Sequence, residues 1–103
     1  MTDKITLQEL KQLKDKIENY SLKKLKNINL DLNVVSDEEG INLLFLAKDN
    51  LLFMERLLQA GVNINHINSQ NKNMTDVALE SKNSYEMMKL LCKYNINLQQ
   101  ENR

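Results

Sequence analysis

No proline occurs in the 103 residues, glycine stands only at positions 40 and 61, and tryptophan is missing. Without proline no turn is set by a ring-locked φ, so chain reversals fall to the two glycines and to asparagine, aspartate and serine. A single cysteine, Cys92, excludes an internal disulfide. No second ligand or nucleophile stands at a recognisable spacing from the single histidine, His66, so neither a metal nor any other cofactor is expected. No glycine-rich phosphate loop is present. No apolar run approaches the roughly 18 to 20 residues that span a bilayer, and the N-terminus has no charged, apolar and cleavable leader pattern. A cytoplasmic location is expected. Charge of one sign is not in excess either: 14 basic residues face 14 acidic ones. That balance removes the general attraction to nucleic acid or anionic membrane, and neither is expected as a partner.

The balance conceals an uneven distribution. Residues 1–30 carry seven lysines against four acids, a net of +3, whereas residues 31–80 carry three bases against eight acids, a net of −5. The many asparagines read as compositional drift rather than a low-complexity tract, because they lie between ordered apolar patterns.

Those patterns are helical. Thr6 and Glu9 have the spacing of a capping box, and Ile5 and Leu10 that of a hydrophobic staple. Leu7, Leu10, Leu13, Ile17 and Tyr20 then form one apolar stripe. Ser21 is placed to cap a short helix bearing Leu22 and Leu25, after which "NINLDLNVVSDEEG" alternates and turns. Asn42 caps "NLLFLAK". Asn50 caps "DNLLFMERLLQAG", whose apolar residues are Leu52, Phe53, Met54, Leu57 and Leu58, and Gly61 ends it in the left-handed conformation that glycine favours. An extended arm through Val62, Ile64 and Ile67 follows. Asn73 and Ser84 are the expected caps of a second helix pair, with Asn95 in the place of glycine.

The two helix pairs overlay with a period. Gly40 maps to Asn71 and Ala47 to Ala78 at 31 residues, and Met54 to Met88 and Gly61 to Asn95 at 34. The stretches "GINLLFLA" and "NKNMTDVA", then "RLLQAGVNIN" and "LLCKYNINLQ", resemble the ankyrin-repeat family, whose unit of about 33 residues is a turn, two helices and a finger. Asn42 and Asn73 stand for the family's capping threonine, and Leu43 and Met74 for its proline. The resemblance implies an all-α solenoid of helix pairs with short extended fingers. It divides the chain into an N-terminal capping helix (1–19), a degenerate repeat (20–39), two full repeats (40–70 and 71–99) and a tail (100–103).

In that family the concave face of finger tips and first helices binds proteins. Carried onto this chain, it implies Ser36, Glu38, Glu39, Ile41, Lys48 and Asp49 for one repeat, and His66, Ile67, Ser69, Gln70, Lys72, Glu80 and Ser81 for the next. His66 is expected to face solvent or a partner. Cys92 is expected to be an inert core thiol, and Met54, Met74, Met87 and Met88 to fill the core. The acidic run Asp37, Glu38 and Glu39 reads as a solvated turn open to a basic partner, and Lys23, Lys24 and Lys26 as a solvated cap face. Nothing in the sequence supports an enzyme. The expected function is a monomeric protein-interaction module, with inhibition of a basic toxin or nuclease by an immunity protein or antitoxin as its specific form. The alternative is a structural or regulatory subunit that self-associates or joins a larger assembly through the ends of the stack.

Overall fold

Local capping sets most of the helix starts. In the computed structural model, which describes residues 4–94 and 96, the side chain of Thr6 accepts from the Glu9 amide while that of Glu9 accepts from the Thr6 amide. This opens α1 (Leu7–Ile17). Ser21 caps α2 (Leu22–Asn27), Asn42 caps α3 (Leu43–Leu46), Asn50 caps α4 (Leu51–Gln59), and Asn73 with Asp76 forms a second capping box at α5 (Met74–Leu79). Each cap satisfies an amide that the first turn of a helix leaves without a partner. At α6 (Ser84–Lys93) the expectation fails. Asn83, not Ser84, is the flanking residue, and it makes no capping bond; its side-chain oxygen accepts from the Ser81 hydroxyl instead.

The helices pack in two rows. α1 contacts α3 and α3 contacts α5, while α2 contacts α4; α3 with α4 and α5 with α6 are paired across the rows. The core along this arrangement includes Leu10, Ile17, Leu43, Leu44, Phe53, Met54, Leu57, Met74, Met87 and Leu91, all fully buried. Three of the four methionines expected in the core are thus wholly enclosed, and Met88 is half-buried against it. The Cα radius of gyration, 13.0 Å, equals the value of about 13 Å expected for a compact chain of 100 residues. The rows are therefore too short to make an elongated rod.

The all-α expectation needs a correction. Lys4–Ile5 and Val35–Ser36 form a two-stranded parallel sheet, β1 and β2, in the register Lys4 to Val35 and Ile5 to Ser36. Lys4–Ile5 is too short to show an alternating pattern, so the sequence carries no signal for β1, whereas Val35–Ser36 falls inside the alternating stretch at 27–40. The sheet ties the start of α1 to the acidic loop, since the Asp37 amide donates to the Ile5 carbonyl at 2.7 Å.

Turn geometry repeats along the chain. Gly40 (φ +67°) and Asn71 (φ +64°) are both left-handed. After α4 the amide of Gly61 bonds Leu58 O and that of Val62 bonds Leu57 O, the paired pattern of a Schellman helix end. The Ile96 amide likewise bonds Leu91 O, 34 residues beyond the Val62 bond. Asn95, the finger from 97 and the tail lie outside the described residues.

The two glycines differ in what surrounds them. A Cβ on Gly61 (φ +100°) meets nothing within 4 Å, whereas one on Gly40 sits 3.0 Å from the Ser69 backbone nitrogen. Gly61→Ala is expected to cost about 1–2 kcal/mol, the left-handed penalty alone. Gly40→Ala adds overpacking of about 1–3 kcal/mol. Urea denaturation of both variants measures the gap, and equal losses would contradict the close approach of the two loops.

Candidate protein-binding face

Asparagine side chains hold the loops that form this face. The Asn33 amide nitrogen donates to Gly61 O at 3.3 Å while its oxygen accepts from the Asn63 amide at 2.7 Å. Asn33 therefore pairs with the finger as a peptide group of an adjacent strand would. Asn42, nearly fully buried, accepts from the Leu44 amide at 3.1 Å and donates to Asn63 O at 3.1 Å, so one side chain caps α3 and anchors the same finger. Asn68 Oδ1 accepts from the amides of Gln70 and Lys72 at 2.9 Å each and fixes the next turn. The asparagines read as drift are thus bonding elements of the loops.

Two turns meet face to face. The Ser69 amide and hydroxyl donate to Glu39 O at 2.9 and 2.8 Å. His66 Nε2 donates to the Gly40 carbonyl, and its ring meets Phe45 edge-on at 6.1 Å. His66, expected to face solvent or a partner, is half-buried and spends its ring N–H on the neighbouring loop. The acidic turn is solvated only in part. Asp37 and Glu38 are exposed, but Glu39 is half-buried, and its Oε1 is enclosed without a hydrogen-bond partner.

Two grooves flank these turns. The first, about 680 Å³, takes Ser36, Glu38, His66, Ile67 and Ser69 from the expected set and adds Lys4, Asn33, Asp37 and Asn63. The second, about 600 Å³, takes Lys48, Asp49, Gln70, Lys72, Glu80 and Ser81. Asn68 lines both. Lys72 and Glu80 are joined at 3.0 Å across the second groove. Glu39 and Ile41 line neither, and Ile41 is packed against the core. Lys4, Asn33 and Asn63 were not readable as groove residues, because their placement depends on pairings across some thirty residues of chain.

Away from the grooves, Glu55 Oε2 accepts from Lys93 Nζ at 2.8 Å and from the Tyr94 hydroxyl at 2.9 Å, joining α4 to the end of α6. The Lys93 bond, then the Tyr94 bond, holds the Glu55 carboxyl below its ordinary range. A depressed carboxylate contributes stability that is full above its unfolded value, about 4.3, and is lost as pH falls through the depressed one. Glu55→Gln is therefore expected to lower the melting temperature at pH 7, with the gap from the parent closing below about pH 4. Thermal melts from pH 3 to 7 check this; a gap independent of pH would assign Glu55 a packing role only.

Cys92 is exposed, against the expectation of a core thiol. The buried stripe of α6 is Met87 and Leu91, which places Cys92 on the outer side beside Lys93. Leu52, expected among the packing residues of α4, is 61% exposed. Among the described residues no group of three His, Cys, Asp or Glu side chains is placed to hold a metal ion, and no helix is long and apolar enough to cross a membrane. Comparison with family models, curated proteins and solved structures gives no match to the chain.

Proposed function

We propose that the chain is a non-enzymatic, ankyrin-like interaction module of the cytoplasm that binds another protein across its two grooves. One observation carries this reading. Ten of the thirteen residues expected at a binding face line two grooves that share a wall at Asn68, with the wholly buried Ser36 beneath the first, its hydroxyl accepting from the Ile41 amide. The loops between them are fixed by bonds from Ser69, His66 and Asn68, so little ordering entropy is lost when a partner docks. Asp37 and Glu38 at the first groove favour a basic partner, and an immunity protein or antitoxin acting on a basic toxin or nuclease is the specific form proposed.

The test begins with capture from the native cell by the tagged protein, followed by association kinetics across a salt series. Asp37→Lys with Glu38→Lys is expected to slow association severalfold and flatten its salt dependence, while Ile67→Asp acts mainly on dissociation. Glu39 is left intact because its carboxylate is turned inward. Lys11→Glu, on the exposed side of α1, serves as the control. An association rate that is unchanged in the acidic double variant would overturn the charge reading.

A second reading, assembly through the end of the stack, has its own support. Leu79 and Tyr85 on the last helix pair are 69% and 71% exposed. Leu51 and Leu58 on α4, 34 residues before Tyr85 and Cys92, are half-buried and buried. Concentration-dependent sedimentation of the parent and of Tyr85→Glu distinguishes this reading, since only assembly through that face responds to the substitution.

A further inference from the structure

A third recess, of about 420 Å³, lies beside α1 and α2 and is lined by Lys16, Tyr20, Lys24, Ile28 and Leu30, with Asn27 and Asn29. It is separate from the grooves above and shares no residue with them. Tyr20 is held in place from both sides: its amide donates to Ile17 O at 2.9 Å, and its carbonyl accepts from Arg56 Nη1 at 3.3 Å. The Lys24 ammonium stands 4.0 Å from the centre of the Tyr20 ring, a cation–π contact that keeps the charge at the recess. Leu30 remains 46% exposed.

The acids that could neutralise this site are engaged elsewhere. Glu9 closes the capping box of α1. Asp15 and Glu18 both meet Lys14, and Glu18 also accepts from Asn50. Asp31 accepts from the Asn33 amide. Among the described residues neither Lys16 nor Lys24 meets a carboxylate. The result is an apolar, aromatic recess with two unneutralised ammonium groups beside it.

We infer that this recess docks an acidic peptide segment of a partner protein, with one apolar side chain entering between Tyr20, Ile28 and Leu30 while neighbouring carboxylates meet Lys16 and Lys24. Charge complementarity sets the sign of the partner. A single apolar side chain set against Tyr20, Ile28 and Leu30 between flanking carboxylates is how a short segment gains affinity, and the chain's balance of 14 basic and 14 acidic residues gives it no general attraction to an anionic membrane. The chain's own acidic run at Asp37, Glu38 and Glu39 is not such a segment, since Ile41 beside it is packed against its own core.

The test is a titration of the isotope-labelled full chain, followed by NMR, with a capped peptide of one phenylalanine flanked on each side by two glutamates. Saturable shifts are expected at Tyr20, Ile28 and Leu30. Lys16→Glu with Lys24→Glu is expected to weaken binding about tenfold or more, and alanine in place of the peptide's phenylalanine to weaken it severalfold. Lys11→Glu changes affinity less than twofold. Leu30→Ala, checked for folding by circular dichroism, tests the recess without altering charge and is expected to weaken binding. A lysine-flanked peptide that binds as well, shifts that map to the Glu38 and Ile67 groove, or binding confined to phosphatidylserine vesicles would overturn the inference. So would concentration-dependent shifts at the recess with no peptide present, which would assign it to a second copy.

Discussion

A chain lacking residues 1–20 is expected to lose its cooperative unfolding transition and to expose apolar surface. Those residues contribute Leu10 and Ile17, both fully enclosed, and α1 packs directly on α3. Each such side chain costs about 2–5 kcal/mol when truncated to alanine. A whole domain of this kind is stable by only about 5–15 kcal/mol. The deletion also removes β1, the Glu18 bond to Asn50 at the start of α4, and the Tyr20 carbonyl that receives Arg56. Thermal melts followed by circular dichroism, together with dye binding to exposed apolar surface, provide the measurement. A truncated chain that melts as sharply as the parent and within a few degrees of it would show that α1 is dispensable. Ile17→Ala alone is the milder version, expected to cost about 2–5 kcal/mol.

Replacing Asn42 by alanine should cost more than any other single capping change in this protein. Its oxygen caps α3 and its amide nitrogen holds the Asn63 carbonyl. Losing a cap costs about 0.5–2 kcal/mol, and losing the part-buried bond to the Asn63 carbonyl about 0.5–1.5 kcal/mol more. Asn42→Ala is therefore expected to lose about 1–3.5 kcal/mol. Asn42→Asp separates the two parts, since a carboxylate keeps the cap but cannot donate to Asn63 and places negative charge against that carbonyl. Thr6→Ala removes an exposed cap only and is expected to cost about 1 kcal/mol. Denaturation of the three variants side by side decides it. If Asn42→Ala proves no worse than Thr6→Ala, the bond to the finger has no energetic weight.

What the sequence disclosed was local. Thr6, Ser21, Asn42, Asn50 and Asn73 are legible as caps because the groups they satisfy lie within three residues. Gly61 is legible because helix ends that turn left-handed favour a residue without a Cβ. The pairing of Gly40 with Asn71 reaches the backbone itself, where both have positive φ. What the sequence hid was set at long range. The strand pairing of Lys4 and Ile5 spans 31 positions. The second bond of Asn42 and both side-chain bonds of Asn33 reach 21 to 30 residues away. Cys92 was misplaced because the apolar stripe of α6 is narrow, and a one-position shift moves a side chain about 100° around a helix of 3.6 residues per turn. Of the candidate site, the loop residues were visible as turns, but their division between two grooves depends on how the turns at 36–41 and 66–72 meet.

The two-residue sheet places the acidic rim under the control of Lys4 and Ile5. Two-residue strands open far more often than core helices do, and each opening of β1 releases the Asp37 amide from Ile5. Hydrogen exchange at that one amide therefore clocks the opening of β1, at a position beside the exposed carboxylates of Asp37 and Glu38. A fused tag, a proteolytic nick or a neighbouring domain that tugs on residues 4 and 5 would change the shape of the first groove without touching any residue of its outer loops.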